Sequence, residues 1–220
     1  GHDPTRFSRP EPEQSGERRV KVERPGSTAF LEVAYHAPPA DHDDWFALNI
    51  LDSVLTGPSS LGGGDVDNKT SRLYKALVDA EIAASVSGYL QPTVDPYLYD
   101  ITMTIRDGRT LEEAEAVFNA EIERVQAEGI TETELARACK QARALFAYGT
   151  EGVTNQAFWL ALAESIAGYE WFENYVNRLA AVTTDDVQRV AQTLLRPQNR
   201  IVGWFVPTDE DEFETDYVEA

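Results

Sequence analysis

The chain has 220 residues, which is enough for one large domain or two small ones. Acidic residues outnumber basic residues by 38 to 19, and the formal net charge of −19 disfavours binding to the phosphate backbone of nucleic acids. No apolar run approaches the roughly 20 residues that a membrane-spanning helix needs, so neither nucleic acid nor membrane is an expected partner. The single cysteine, Cys139, rules out an internal disulfide and a cysteine zinc site.

The sequence divides into three segments. Residues 1–12 are rich in proline and charge and are interpreted as a leader or linker, residues 13–207 as one domain, and residues 208–220 as an acidic tail. Within the domain, β-rich runs bounded by proline or glycine predict five strands. They lie at 17–26, at 28–39, twice within 83–108 on either side of a proline-marked turn, and at 198–207.

Helical spacing of apolar residues predicts the remaining elements. Helices are expected at 41–57, at about 70–79, at 110–129, at 131–168 with a kink or break near Gly149 and Gly152, at 170–182 and at 183–195. Helix starts are predicted at Asp41 or Asp43, at a Thr110–Glu113 capping box, at a Thr131–Glu134 capping box, and at Thr183 or Thr184.

This order of elements predicts an α+β fold in two layers. The five strands are expected to form one mixed, mainly antiparallel sheet that includes the strand from Ile201 to Val206, with the helices on one face. No internal repeat and no further domain boundary are expected after the leader.

The residues themselves predict no catalytic or metal site. Neither H-E-x-x-H, H-x-x-E-H nor G-x-S-x-G occurs, and Lys69 and Thr70 follow Gly64 at the wrong spacing for a phosphate loop. A metal site made of His36, His42 and neighbouring aspartates is set aside, because the strand and the helix that carry the histidines are not expected to converge.

The order of several motifs resembles the second, C-terminal domain of peptidase family M16, which includes insulysin and the mitochondrial processing peptidase. The segments are "GERRVKVERPG", "LEVAYHAPPADHDDWFALNILDSVL", "SRLYKALVD", "DPYLYDITMTIRDGRTLEEAEAVF", "EGITETELARACKQARALF" and "RLAAVTTDDVQRVAQTLLRPQNRIVGWFVP". The resemblance implies the LuxS/MPP-like metallohydrolase fold. It also implies that zinc is held by H-x-x-E-H in another domain, so this chain carries no cofactor and is inactive alone.

The resemblance also implies partners and a function. The expected protein partner is an N-terminal catalytic M16 domain or a second M16 chain, and a homodimer with a second copy of this chain is a further option. A peptide substrate is the other expected partner. The expected function is a substrate-chamber domain of a zinc metallopeptidase that helps to bind extended peptides. The alternative is a purely structural or assembly domain, like the inactive core subunits of a respiratory complex.

Five residues are the expected substrate contacts: Gly62, Gly63, Gly64, Arg72 and Tyr74. The three glycines resemble the glycine-rich loop of the non-catalytic subunit of the processing peptidase, which precedes a similar S-R-L-Y, although they are fewer. A simple insertion is the equal alternative for this loop, whose aspartates Asp65 and Asp67 would favour basic peptides. Helix capping and core packing are the alternative for Arg72 and Tyr74.

The sequence departs from the family at two positions. Several members grip the substrate backbone with an Arg and, seven residues later, a Tyr. Here Val78 and Ser85 occupy those positions, and neither side chain can supply that contact. That role is therefore not transferred to this chain.

Overall fold

Five strands form one mixed sheet. The computed structural model describes residues 12, 14–58 and 69–209. The strands are β1 (Arg18–Pro25), β2 (Phe30–Ala37), β3 (Ala83–Leu90), β4 (Tyr97–Ile105) and β5 (Arg200–Thr208). Their order in the sheet is β1-β5-β2-β4-β3, in which only the β1–β5 pair is parallel. The predicted mixed, mainly antiparallel sheet is confirmed, and it includes the last strand, which lies between β1 and β2.

Six α-helices accompany the sheet in the described part of the chain. They are α1 (Asp43–Leu55), α2 (Leu111–Glu128), α3 (Glu132–Gly149), α4 (Val153–Ile166), α5 (Tyr169–Ala181) and α6 (Thr184–Leu194). A π-helical turn (Tyr74–Val78) precedes β3, and a 3₁₀ turn (Pro197–Asn199) precedes β5. None of the described helices combines the length and apolar character that crossing a membrane requires.

The helices cover one face of the sheet. On that face, alternate residues of β2 and β4 such as Val33, Tyr35 and Ile101 are fully buried. The buried face meets α1, which is apolar nearly all round and packs in turn against α3, α5 and α6. On the opposite face, alternate residues such as Phe30 and Glu32 remain exposed. The predicted α+β fold in two layers is therefore confirmed.

Helix starts follow the sequence in some places and depart from it in others. The predicted capping box at Thr131 forms in full, and Thr183, one of the two caps predicted for α6, forms a capping box as well. At α1 the predicted aspartate caps are wrong, because His42 is the cap and its Nδ1 accepts a hydrogen bond from the Asp44 amide. At α2 only half of the predicted box forms, since the Glu113 carboxylate bonds to Arg109 rather than to the Thr110 amide.

Of two further predictions about the helices, one is confirmed and one changes. The expected break after Gly149 is real, because α3 ends there and α4 starts at Val153. The helix predicted at 70–79 is shorter, and most of it is the π-helical turn Tyr74–Val78. Such turns widen the helix by one residue and are uncommon, so periodicity alone does not indicate them.

Candidate functional site

Of the five predicted substrate contacts, only Arg72 and Tyr74 fall in the described part of the chain. Gly62, Gly63 and Gly64 lie outside the described residues, as do Asp65 and Asp67. The peptide-contact hypothesis for the glycine loop therefore stays a prediction.

Arg72 is engaged in an ion-pair network. Its Nε and one terminal nitrogen donate to the two carboxylate oxygens of Glu134, both at 2.8 Å, and the same nitrogen donates to the Gly129 carbonyl at 3.1 Å. The other terminal nitrogen lies 3.8 Å from Glu121. The hydrogen bond from Arg72, aided by those from Thr131 and opposed by burial, lowers the pKa of Glu134 to about 2.

This network indicates a structural role for Arg72. Its side chain is only 12% exposed and ties the turn before β3 to the corner between α2 and α3. Tyr74 is half-buried at the start of the π-helical turn, and its side chain makes no hydrogen bond to a described residue. Substrate contact by either residue remains a prediction.

The structure also describes the two positions at which several family members carry the substrate-gripping Arg and Tyr. Val78 ends the π-helical turn and packs against the core. Ser85 lies on β3, where its hydroxyl donates to Thr104 across the strand pair at 3.0 Å. Since β3 is an edge strand, Ser85 stands beside unpaired backbone, but its side chain is too short to reach a distant ligand.

The two described histidines face different surroundings. His36 contacts the side chain of Gln14 at 3.1 Å, whereas His42 caps α1. Among the described residues, no group of three or more His, Cys, Asp or Glu side chains is arranged to hold a metal ion.

An apolar patch occupies the open face of the sheet. It is formed by Val20, Val22, Phe30, Ile201 and Phe205, and we call it the sheet patch. Val22, Phe205 and Phe30 stand side by side on β1, β5 and β2, and the two phenyl rings meet edge to face with centroids 5.8 Å apart. Alternation along β1 aims both valines outward, although exposed valines cost hydrophobic free energy.

An acidic pair adjoins the sheet patch. Glu32 on β2 and Asp100 on β4 share the open face, because the residues that oppose them are Thr102 and Ala34. Partial burial, and secondly the Glu32 carboxylate, raise the pKa of Asp100 to about 6. This face is therefore apolar on the β1 side and acidic towards β4.

A second apolar patch lies on α4 and its flanks. It consists of Tyr148, Val153, Phe158, Leu160 and Tyr169, and we call it the α4 patch. Val153 is 81% exposed and Phe158 is 57% exposed, so this part of the helix hairpin is barely packed against the rest of the described chain. Glu164 is the one charged residue among the fourteen of α4, in a chain with 26% charged residues.

The two edges of the sheet differ in chemistry. Six of the eight residues of β1 are charged or proline, which is the usual protection of an exposed edge. The other edge strand, β3, reads AASVSGYL and carries no charge and no proline. In the part of the chain that the structure describes, β3 is thus the edge that could accept an additional strand.

The comparisons with known proteins agree with this architecture. The sequence profile described as the peptidase M16 inactive domain matches residues 1–142. The chain belongs to this family. No curated protein matches this chain at a significant level.

Solved structures share its fold. A protease from Helicobacter pylori superposes with a TM-score of 0.80 at 20% identity, over 94% of this chain and 49% of its own. The inactive peptidase domain of a proposed zinc protease from Bordetella parapertussis gives 0.72 at 24% identity, over 86% and 98%. A chain of Complex III2 from Candida albicans gives 0.71 at 15%, over 86% and 45%. The M16 inactive domain thus spans about half the length of the Helicobacter protease.

Sequence reasoning did not find the two apolar patches of the M16 inactive domain. The alternation in "RRVKVERP" contains the signal for Val20 and Val22, but the matching of those valines with Phe30 and Phe205 depends on strand order. For α4 the available signal was the near absence of charge in "VTNQAFWLALAESI".

Proposed function

We propose that this chain is the non-catalytic, substrate-chamber domain of an M16 zinc metallopeptidase. The observation that carries the proposal is a sheet whose second face carries an apolar patch that no described residue covers, in a chain that lacks H-x-x-E-H. Zinc binding and water activation fall to the partner domain, which would carry the ligands. The chain's own residues supply surfaces for docking and for peptide binding.

The sheet patch and the α4 patch support docking of a catalytic domain. A partner of the same fold would present its own open sheet and its own α4-like helix. The α4 patch of this chain would then cover the partner's sheet, while the partner's helix covers the sheet patch. This arrangement buries both apolar surfaces, which is the main source of free energy in domain association. A related chain of twice this length, as in the Helicobacter protease, has room for both domains.

The β3 edge supports peptide binding. An extended peptide can add to an exposed strand through main-chain hydrogen bonds, whatever its sequence. β3 lacks the charges and proline that would block such addition, whereas β1 carries them. The side chains Ser85 and Ser87 on the open face are small and would admit varied peptides.

A structural or assembly role is the second candidate. Val78 and Ser85 replace the peptide-gripping pair of other members, and Arg72 is held by Glu134. The fold is shared with a chain of Complex III2 from Candida albicans, which supports an assembly role without peptide binding.

The test of docking is reconstitution with the H-x-x-E-H domain of an M16 peptidase from the same organism, produced as a separate chain. We expect the two chains to co-elute in size-exclusion chromatography, and Val22→Asp to abolish the complex. Val94→Asp is the matched control, because Val94 is 41% exposed, like Val22 at 39%, but lies in the β3–β4 turn. Co-elution that survives Val22→Asp would contradict the proposed interface.

A further inference from the structure

An open groove lies between the turn that follows residue 69 and the corner between α2 and α3. Its volume is about 660 Å³, and seven charged side chains line it. Four of these are cationic, namely Arg72, Lys75, Arg124 and Arg137. In a chain of net charge −19 with 19 basic residues, this is an unusual concentration of positive charge.

Two carboxylates of the groove are already neutralised. Glu134 accepts hydrogen bonds from Nε and one terminal nitrogen of Arg72, and its low pKa keeps it ionised as one half of that pair. Glu121 accepts a hydrogen bond from Arg124 at 2.7 Å and is almost fully buried. These pairs build the walls of the groove and leave no net charge.

The charges that are not paired determine which ligand charge the groove prefers. Lys75, exposed on the turn, and Arg137, half-buried on α3, form no ion pair with any described residue. The third carboxylate, Glu128, likewise lies within 4 Å of no cationic group of the described chain, although its charge is felt by Arg72. The excess is therefore two cations against one anion, on opposite walls of one groove.

We propose that this groove binds a carboxylate group of an acidic peptide segment. Lys75 and Arg137 donate hydrogen bonds from the two walls, and the fork of Arg137 matches the two oxygens of a carboxylate. A small net excess suits one carboxylate, whereas the overall charge of the chain penalises polyanions such as nucleic acid. The site lies among the helices, so it does not depend on the docking surfaces proposed above.

The experiment is an NMR titration of the full chain with the blocked hexapeptide AAEEAA and with its isostere AAQQAA. We expect saturable shifts of the amide signals of Lys75 and Arg137 with the glutamate peptide alone. Lys75→Gln and Arg137→Gln should each weaken binding about fivefold, the Coulomb energy of one nearby charge in water. Glu128→Gln removes the opposing charge and should strengthen binding by a similar factor. None of these three side chains forms an ion pair with a described residue, so the fold should persist.

Lys140→Gln supplies the matched control, because Lys140 lies one turn beyond Arg137 on the same helix but outside the groove. Its affinity should equal that of the wild type. Equal binding of the two peptides would overturn the proposal. So would equal weakening by Lys140→Gln, which indicates general charge attraction, or an unchanged affinity in Lys75→Gln and Arg137→Gln. A peptide with a free C-terminus and no glutamate tells whether a terminal carboxylate serves as well as a side chain.

Discussion

At the scale of single residues, the buried carboxylate of Asp52 determines which side chains can pack around it. Asp52 of α1 is 1% exposed and accepts hydrogen bonds from the Tyr99 hydroxyl at 2.8 Å and from the Thr56 hydroxyl at 2.7 Å. Burial, together with the Asp52 charge, raises the pKa of Tyr99 well above its usual value and keeps the hydroxyl protonated as a donor. This polar contact fixes α1 against β3 and β4.

Gly88 makes room for that contact. A Cβ at this position would lie 2.1 Å from the Asp52 carboxylate and 2.6 Å from the Thr56 hydroxyl. Gly88→Ala should therefore lower the free energy of unfolding by about 2–4 kcal/mol, since the buried pair has to move. Urea denaturation measures this, and Gly16→Ala, where the added methyl meets nothing within 4 Å, is the control. Equal stability of the two variants would refute the steric argument.

Glu134 makes stability depend on acid pH. Its folded pKa of about 2 lies below the usual 4.5, so its stabilising effect is present above about pH 4.5 and is lost as pH falls towards 2. Glu134→Gln should cost about 2–3 kcal/mol at pH 7 and progressively less between pH 4.5 and 3. Urea denaturation at these pH values tests the prediction, with the exposed Glu112→Gln as control. A pH-independent difference would show that the charge is unimportant.

The pKa of Asp100 shifts upward rather than downward, so its effect on stability is opposite to that of Glu134. Its folded pKa of about 6 exceeds the usual 3.8, so its ionised form destabilises the fold above pH 6 and the effect vanishes below about pH 4. Asp100→Asn should stabilise the chain at pH 8 by about 1 kcal/mol, after allowance for solvent screening, and hardly at all at pH 4. Thermal melts at both pH values provide the measurement, with Asp95→Asn in the exposed turn as the reference. Destabilisation at pH 8 would contradict the account.

At the scale of secondary structure, the sequence predicts what depends on local physics. The predicted capping box at Thr131 forms because the threonine and the acid three residues later bond to each other's backbone, even though Arg72 also bonds to the Glu134 carboxylate. Glu113 has the same spacing, but Arg109 competes for its carboxylate, and a single sequence does not decide between the two. At α1 His42 takes the cap that the sequence predicted for Asp41 or Asp43.

The sequence alone did not predict surfaces whose residues are far apart in the chain. The sheet patch joins Val22 to Phe205, and that contact follows from the parallel pairing of the first and last strands. The charged groove joins Lys75 to Arg137 through the turn and α3. Arg72 was identified from sequence as notable, but its bond to Glu134 depends on how the corner between α2 and α3 meets the turn.

The α4 patch provides a test at this scale. Phe158→Asp replaces a largely exposed phenylalanine, so the free energy of unfolding should change by less than about 0.5 kcal/mol. The same change should weaken association with the catalytic domain at least tenfold, because it would place an uncompensated charge in an apolar interface. Denaturation and titration calorimetry separate the two effects, and Thr154→Asp, also exposed and on α4, tests mere added charge. A large loss of stability would mean that α4 is packed within the domain instead.

At the scale of the whole molecule, the sheet patch and the β3 edge of this chain lie on different sides of the sheet's framework: one on its open face and the other along its edge. Its sheet patch is apolar, its β3 edge is uncharged, and the whole chain has a net charge of −19, which weakens contacts with other acidic molecules. Under the proposed function, a partner domain would cover the sheet patch, and a peptide would bind beside it at the β3 edge.

The most direct test of this account is the kcat/KM of the separate H-x-x-E-H domain for a long peptide, measured with and without this chain. We predict a rate that rises with added chain, saturates at a one-to-one ratio, and gains on the order of 100-fold, because the chamber holds the peptide in place. The chain alone should cleave nothing. The contradicting result is an unchanged kcat/KM when calorimetry shows that the two domains are fully bound, which would leave the chain a purely structural role.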